Sequence, residues 1–92
     1  MIVTTTSDVD GHPVKSYLGI VTGECFQMDD SSDGPKGKEE VLLVAQQKAL
    51  AKMTQRAEAL GANAVVGVGI DVEFQSTLKY FVSVAGTAVV IS

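Results

Sequence analysis

The sequence predicts an α+β subunit in which four β-strands and one long helix follow one another in the order β-β-α-β-β. Extended segments rich in β-branched residues stand at both ends of the chain, separated by turns that contain glycine or proline. Between them, the stretch from Lys38 to Leu60 contains neither glycine nor proline. We therefore expect a single domain over residues 1–92, with an antiparallel sheet and the helix on one of its faces.

The first third of the chain predicts two strands. Ile2 to Thr6 is a β-branched strand, and the Asp-Gly and proline signals of residues 8–13 mark the turn that follows it. The second strand extends from Val14 to about Phe26. Gly19 and Gly23 interrupt this strand, which indicates a bulge or a close approach of another backbone.

The middle of the chain predicts a loop and then the helix. Residues 28–37 are polar and acidic, and they form a loop in this prediction. Helix-forming residues dominate from Lys38 to Leu60, and Gly61 follows where a left-handed cap favours glycine. Apolar residues recur at steps of three and four and predict one buried stripe, which consists of Leu42, Ala45, Ala49, Met53, Ala57 and Leu60.

The last third predicts a hairpin. One strand covers residues 64–74, residues 75–77 form the turn, and the last strand covers residues 78–91.

Composition limits the possible partners. The net charge is −4 and the pI is about 4.7, so the chain repels phosphate backbones and nucleic acid is not an expected partner. No apolar run approaches the roughly 20 residues that span a bilayer, so we expect no membrane partner. The chain begins without a signal-peptide pattern, and the single cysteine, Cys25, gives no reason to expect secretion. The expected compartment is the cytoplasm.

The alternation of side chains along the strands predicts a second apolar face. One face of the sheet lies under the helix, and the opposite face carries further apolar side chains. One helix covers only one face, so we expect another copy of the chain to cover the second. The alternative is that these side chains are scattered and individually harmless. The expected interface residues are Tyr17, Val21, Val65, Phe81, Val89 and Ile91.

Three segments resemble the YbjQ-like family of small bacterial and archaeal proteins: Tyr17–Glu24, Ala59–Val68 and Val82–Val89. The resemblance covers nearly the whole chain. It implies a dodecin-like fold, assembly into a ring-shaped homopentamer, and heavy-metal binding. The chain departs from the family between Glu24 and Lys38, where many relatives have a longer segment.

Three side chains are candidate metal ligands. Cys25 offers a thiolate, the side chain best suited to a soft metal ion, or it is a small buried hydrophobe. Glu24 lies in the first family segment, and His12 lies in a turn where simple exposure is the alternative. Asp71 and Glu73 share one side of a strand and form a carboxylate pair, a solvated strand end or interface partners.

The sequence therefore predicts a homo-oligomeric binding protein that holds a soft metal ion or a similar small ligand between subunits. The first alternative is a structural oligomer without a ligand. The second is a small-molecule enzyme, for which no nucleophile, base and orienting group stand together in the sequence, so we expect no catalysis.

Overall fold

The computed structural model describes residues 1–28, 35–76 and 79–92. The predicted order β-β-α-β-β is confirmed. The five elements are β1 (Ile2–Val3), β2 (Val14–Met28), α1 (Pro35–Ala59), β3 (Ala64–Ser76) and β4 (Lys79–Ile91). Of the predicted loop over residues 28–37, residues 29–34 lie outside the described residues, whereas Met28 ends β2 and residues 35–37 begin α1, so the loop prediction is wrong at both ends. Thr77 of the predicted hairpin turn and Leu78 of the predicted last strand also lie outside the described residues.

The sheet has the strand order β1-β3-β4-β2. Strand β4 pairs antiparallel with β2 on one side and with β3 on the other. Strand β1 lies against the outer edge of β3 and runs parallel to it, with Ile2 beside Ala64. The sheet is therefore mixed, and the prediction of an entirely antiparallel sheet is wrong for β1. Both sides of β4 are taken by β2 and β3, so β1 joins the sheet at an outer edge, that of β3.

Helix α1 packs mainly on β2 and β4 and contacts β3 little. The predicted stripe is confirmed for Ala45, Ala49, Met53 and Ala57, which are fully buried, and for Leu42, which packs against the same core. It is wrong for Leu60, which is 51% exposed because the helix ends one residue earlier, at Ala59. Small residues on the helix allow a close approach at Gly23, where a Cβ atom would lie against the carbonyl oxygen of Ala49. Gly23 therefore allows the helix backbone to approach β2 closely. A close approach of another backbone was one of the two interpretations that the sequence offered for the glycines of this strand.

The helix ends as the sequence predicts. Gly61 has a φ of 90°, and its N–H donates to the carbonyl of Glu58 at 2.9 Å. The N–H of Ala62 donates to the carbonyl of Ala57 at 3.1 Å. These two bonds form a Schellman cap, which satisfies carbonyl groups that the helix end leaves without intrahelical donors. The described part of the chain contains no helix that is long and apolar enough to span a bilayer.

A bulge in β3 changes which side chains face the helix. The register of β3 against β4 shifts between Val66 and Gly69, and Gly67 adopts a φ of 62°. Because the bulge adds one residue, Val65 before it and Val68 after it both lie in the core beneath α1. The register of β2 against β4 shifts in the same way between Tyr17 and Gly19, so the side chains after this shift also change faces. Val21 therefore also lies beneath the helix.

These bulges correct the expected faces. Val21 and Val65 belong to the helix-side core, whereas unbroken alternation assigned them to the opposite face. Conversely, Ala64 and Val66 lie on the face away from the helix, not beneath it. We call the face opposite α1 the far face.

The N-terminal segment covers part of the far face. Val9 and Val14 pack on a small second core that consists of Ala64, Val66, Val89 and Ile91. The N–H of Ser92 donates to the carbonyl of Pro13 at 3.1 Å, and Nδ1 of His12 lies 2.6 Å from the carbonyl oxygen of Ser92. The chain therefore buries by itself one half of the face for which a second copy was expected.

Candidate functional site

The part of the far face that the described residues leave uncovered carries three rows of side chains. The register places residues of β2, β4 and β3 side by side in each row. Residues that stand opposite each other on neighbouring strands project to the same face. We call this surface the open face, and its rows are Thr22–Ala85–Gly69, Glu24–Ser83–Asp71 and Phe26–Phe81–Glu73.

The open face contains a shallow cavity of about 550 Å³. Ala85 and Gly69 are small, so the row that they share forms the floor of the cavity. Phe81 is half-buried and borders the cavity on one side. A concave surface with an aromatic wall and a few polar groups is the usual form of a small-ligand site.

Glu24 is held at the cavity by Arg56 of α1. The guanidinium donates one hydrogen bond to each carboxylate oxygen of Glu24, both at 2.9 Å. The same guanidinium donates to the carbonyl oxygen of Thr22 at 2.8 Å. Arg56 thus reaches around the outer edge of β2, from the helix side to the far face, and fixes the position of the Glu24 carboxylate.

This pairing keeps Glu24 ionised. The hydrogen bonds from Arg56 hold the pKa of Glu24 below its ordinary value of 4.5, and the positive charges of Arg56 and Lys52 act in the same direction. Partial desolvation raises this pKa, with an effect smaller than that of the hydrogen bonds but larger than that of either positive charge alone. A carboxylate with a lowered pKa and two donors of one guanidinium is a weak proton acceptor near neutral pH.

Asp71 completes the acidic row. Ser83 stands between Glu24 and Asp71, and two strand spacings separate the Cα atoms of these two acids by about 10 Å. Asp71 and Glu73 are both exposed. The open face therefore has one carboxylate that Arg56 neutralises and two exposed carboxylates on β3.

The three predicted metal ligands do not come together in one subunit. Cys25 is buried in the helix-side core, whereas its neighbour Glu24 projects to the far face. His12 lies near the start of β2, on the order of 35–40 Å from Cys25 along the strand. Among the described residues, no group of three or more His, Cys, Asp or Glu side chains is arranged to hold a metal ion. This donor set does not fit a single metal site within the chain.

The predicted interface residues fall into three groups. Tyr17 is 71% exposed, and Phe81 lies half-buried on the open face. Val21 and Val65 lie beneath α1, and Val89 and Ile91 lie beneath the N-terminal segment. Tyr17 and Phe81 are thus accessible to another molecule, and their contact with a second copy stays a prediction.

Two side chains of the site were not identified from the sequence. Arg56 sits outside the apolar stripe like any exposed helix residue, and only its distance to β2 shows that it binds Glu24. Ser83 is one small residue in a β-strand, and only the register of three strands places it between two acids. The pattern that could have suggested Arg56 is its spacing of one helical turn from Lys52 on the same side of the helix.

Comparisons with known proteins identify the family. Residues 35–92 match the YbjQ family model, whose description is "Putative heavy-metal-binding". This range covers α1, β3 and β4 but not His12, Glu24 or Cys25. A UPF0145 protein of Bifidobacterium longum strain DJO10A is 42% identical over 106 aligned residues, which cover 100% of this chain and 96% of the relative. A UPF0145 protein of Bifidobacterium longum subsp. infantis shows the same identity and coverage.

A solved structure supports the fold. The crystal structure of a protein of unknown function from Pediococcus pentosaceus, assigned to the DUF74 family, superimposes with a TM-score of 0.67. The two chains share 20% sequence identity, and the match covers 100% of this chain and 98% of the other. From the family-model match and the full-length similarity to the two UPF0145 proteins, we conclude that the chain belongs to the YbjQ-like family.

Proposed function

We propose that this protein is a homo-oligomeric binding protein that holds a metal cation, or a small cationic ligand, on the open face between subunits. The observation that carries the proposal is the row Glu24–Ser83–Asp71, whose three oxygen-bearing side chains line part of the cavity. The description of the matched family, "Putative heavy-metal-binding", also names metal ions as ligands.

Oxygen donors are the ligands in this proposal. Asp71 supplies an exposed carboxylate, and Ser83 supplies a hydroxyl group next to it. Carboxylate and hydroxyl oxygens favour hard and borderline divalent cations. The thiol of Cys25 lies in the helix-side core with 7% of its surface exposed, so a metal ion would reach it only if α1 moved away from β2.

The shape of the subunit supports self-association. Its radius of gyration is 15.0 Å and its longest dimension is 48 Å, whereas a compact domain of this length has a radius of gyration of about 12 Å. An elongated subunit with one layer of sheet and one helix leaves many large apolar side chains exposed, among them Tyr17, Ile20 and Phe74. The assembly we propose is a ring of dodecin-like subunits, and the pentamer implied by the family resemblance is the expected stoichiometry.

Binding, not catalysis, is the proposed activity. Glu24, the acid with the most ordered surroundings, has a lowered pKa and is engaged by Arg56, which makes it unsuitable as a general base near neutral pH. We place the protein in the cytoplasm, and the one free, buried thiol of Cys25 supports this compartment.

Native mass spectrometry of the untreated protein tests the assembly and the ligand together. The expected spectrum shows a multiple of the 9.6 kDa subunit with a retained metal ion. An oligomer that retains no ligand and binds neither added Mn²⁺ nor added Zn²⁺ would support the alternative of a structural oligomer without a ligand. A monomer that binds neither ion would refute the proposal.

Calorimetric titration with Mn²⁺ and Zn²⁺ then identifies the donors. Asp71→Asn should weaken the binding of the metal ion at least about tenfold, because the asparagine side chain has the shape of aspartate but not its negative charge. Cys25→Ala should bind as the unmodified protein does. Glu58→Gln, which removes an exposed carboxylate on α1, is the matched control. Loss of binding in Cys25→Ala but not in Asp71→Asn would assign the site to the thiol.

A further inference from the structure

The sheet has two free edges. In the part of the chain that the structure describes, no strand lies beside the outer edge of β2, because β2 is the last strand in the order β1-β3-β4-β2. Strand β1 pairs with only the first two residues of β3, and Thr4 and Thr6 extend the hydrogen bonding to Val68. From Gly69 onward, no strand among the described residues pairs with the outer edge of β3. We call this part the free edge of β3.

Both free edges carry exposed apolar side chains. Sheet edges in soluble proteins are normally protected by charges, prolines, bulges or a covering element. Here the edge strand β2 exposes Tyr17, Ile20, Phe26 and Met28. On the other side, where α1 does not cover β3, Leu43, Ile70 and Phe74 are exposed. These seven side chains are between 46% and 80% exposed.

The two edges differ in charge. Lys48 and Glu40 both lie beside Gln27 at the β2 edge, and Lys52 is close enough to Glu24 to lower its pKa. Arg56 neutralises Glu24 and Lys48 offsets Glu40, so the positive charge that the β2 edge keeps is that of Lys52. The free edge of β3 presents Asp71 and Glu73, both exposed. One edge of the subunit is therefore basic and the opposite edge is acidic.

We infer that the β2 edge of one subunit docks against the free edge of β3 of a second copy, with Lys52 facing the partner's Glu73. Arg56 already reaches around the β2 edge to the far face, and Lys52, one helical turn earlier, starts from the same side of α1. The contact joins unlike surfaces, so it is heterologous and propagates around a ring. A contact between two β2 edges would instead place the lysines of both copies against each other.

This arrangement rests on the proposed self-association and specifies its partner surface. It also sets the open face, with its row Glu24–Ser83–Asp71, next to the boundary between copies. The cation site proposed above would then border two subunits.

Charge reversal tests the docking. Glu73→Lys and Lys52→Glu should each dissociate the oligomer towards the 9.6 kDa subunit, with the dissociation constant raised at least about tenfold, because like charges then meet at the contact. Combining both changes in one chain should restore assembly. Mixing the two single variants should produce complexes that contain both. Glu58→Lys, an equal charge change at an exposed helix position, should assemble normally.

The measurements are native mass spectrometry and light scattering, with circular dichroism to verify that each variant is folded. If both single variants assemble as the unmodified protein does, the docking is wrong although the proposed function stands. The same conclusion follows if the combined variant dissociates like either single one. If the unmodified protein is itself a monomer, the docking and the proposed function both fail.

Discussion

Replacing Gly23 by alanine should disrupt the packing of α1 on β2. A Cβ atom at this position would lie against the carbonyl oxygen of Ala49 and 2.8 Å from the backbone nitrogen of Met53. Favourable contacts between heavy atoms begin at about 3.5 Å, so the helix would have to move by about 1 Å. Both neighbours are helix backbone, which does not yield as a flexible side chain does.

The expected loss in free energy of unfolding is about 3 kcal/mol, at the upper end of the range for overpacked cores. For a domain of this size, each kcal/mol shifts the melting temperature by about 4–8 °C, so Gly23→Ala should lower it by about 12–24 °C. Thermal unfolding followed by circular dichroism measures this shift. The measurement should be made at one protein concentration, because association changes the apparent stability.

Gly69→Ala is the matched control. Gly69 also lies in a strand, but no atom of the described residues beyond its chain neighbours comes within 4 Å of the position that its Cβ atom would take. We expect its melting temperature to stay the same or to rise slightly, because alanine lowers the entropy of the unfolded chain. If Gly23→Ala unfolds within a few degrees of Gly69→Ala, the close approach of helix and strand does not exist.

The other predictions concern Glu24 and Cys25. Arg56→Gln should raise the pKa of Glu24 towards its ordinary value, which a carboxyl-carbon NMR titration would detect, and an unchanged pKa would show that the pair does not persist in solution. Because the folded pKa of Glu24 is lowered, the pair contributes stability above the unfolded pKa and loses that contribution as the pH falls through the folded value. Cys25 should react with a thiol reagent only after unfolding in urea, since it lies beneath α1, and rapid reaction in the native protein would contradict this burial. Cys25→Ser should destabilise the protein by about 1–3 kcal/mol, because it places a polar hydroxyl in a buried hydrophobic cluster, and Cys25→Ala should cost less.

The placement of the candidate site was harder to predict than the elements. The sequence led to Glu24 as a candidate and to Asp71 as one of a carboxylate pair, but it did not show that Ser83 stands between them. It also placed Cys25 and His12 in the same proposed donor set, although they lie on the helix side and at the far end of β2. Which side chains meet depends on strand register, and register is a property of paired strands that one strand alone does not contain.

Local patterns decided the elements of this protein. The period of the apolar residues from Leu42 to Ala57 specified the helix and its buried stripe, and Gly61 specified its end, because both depend on contacts within a few residues. The bulges near Gly19 and Gly67 were decided by the tertiary structure, and each reversed the alternation of side chains beyond it. The tertiary structure also determined that the N-terminal segment buries Val89 and Ile91. The face of the sheet on which a side chain lies, and the segment that buries it, depend on contacts between residues far apart in the chain. No local pattern specifies such contacts.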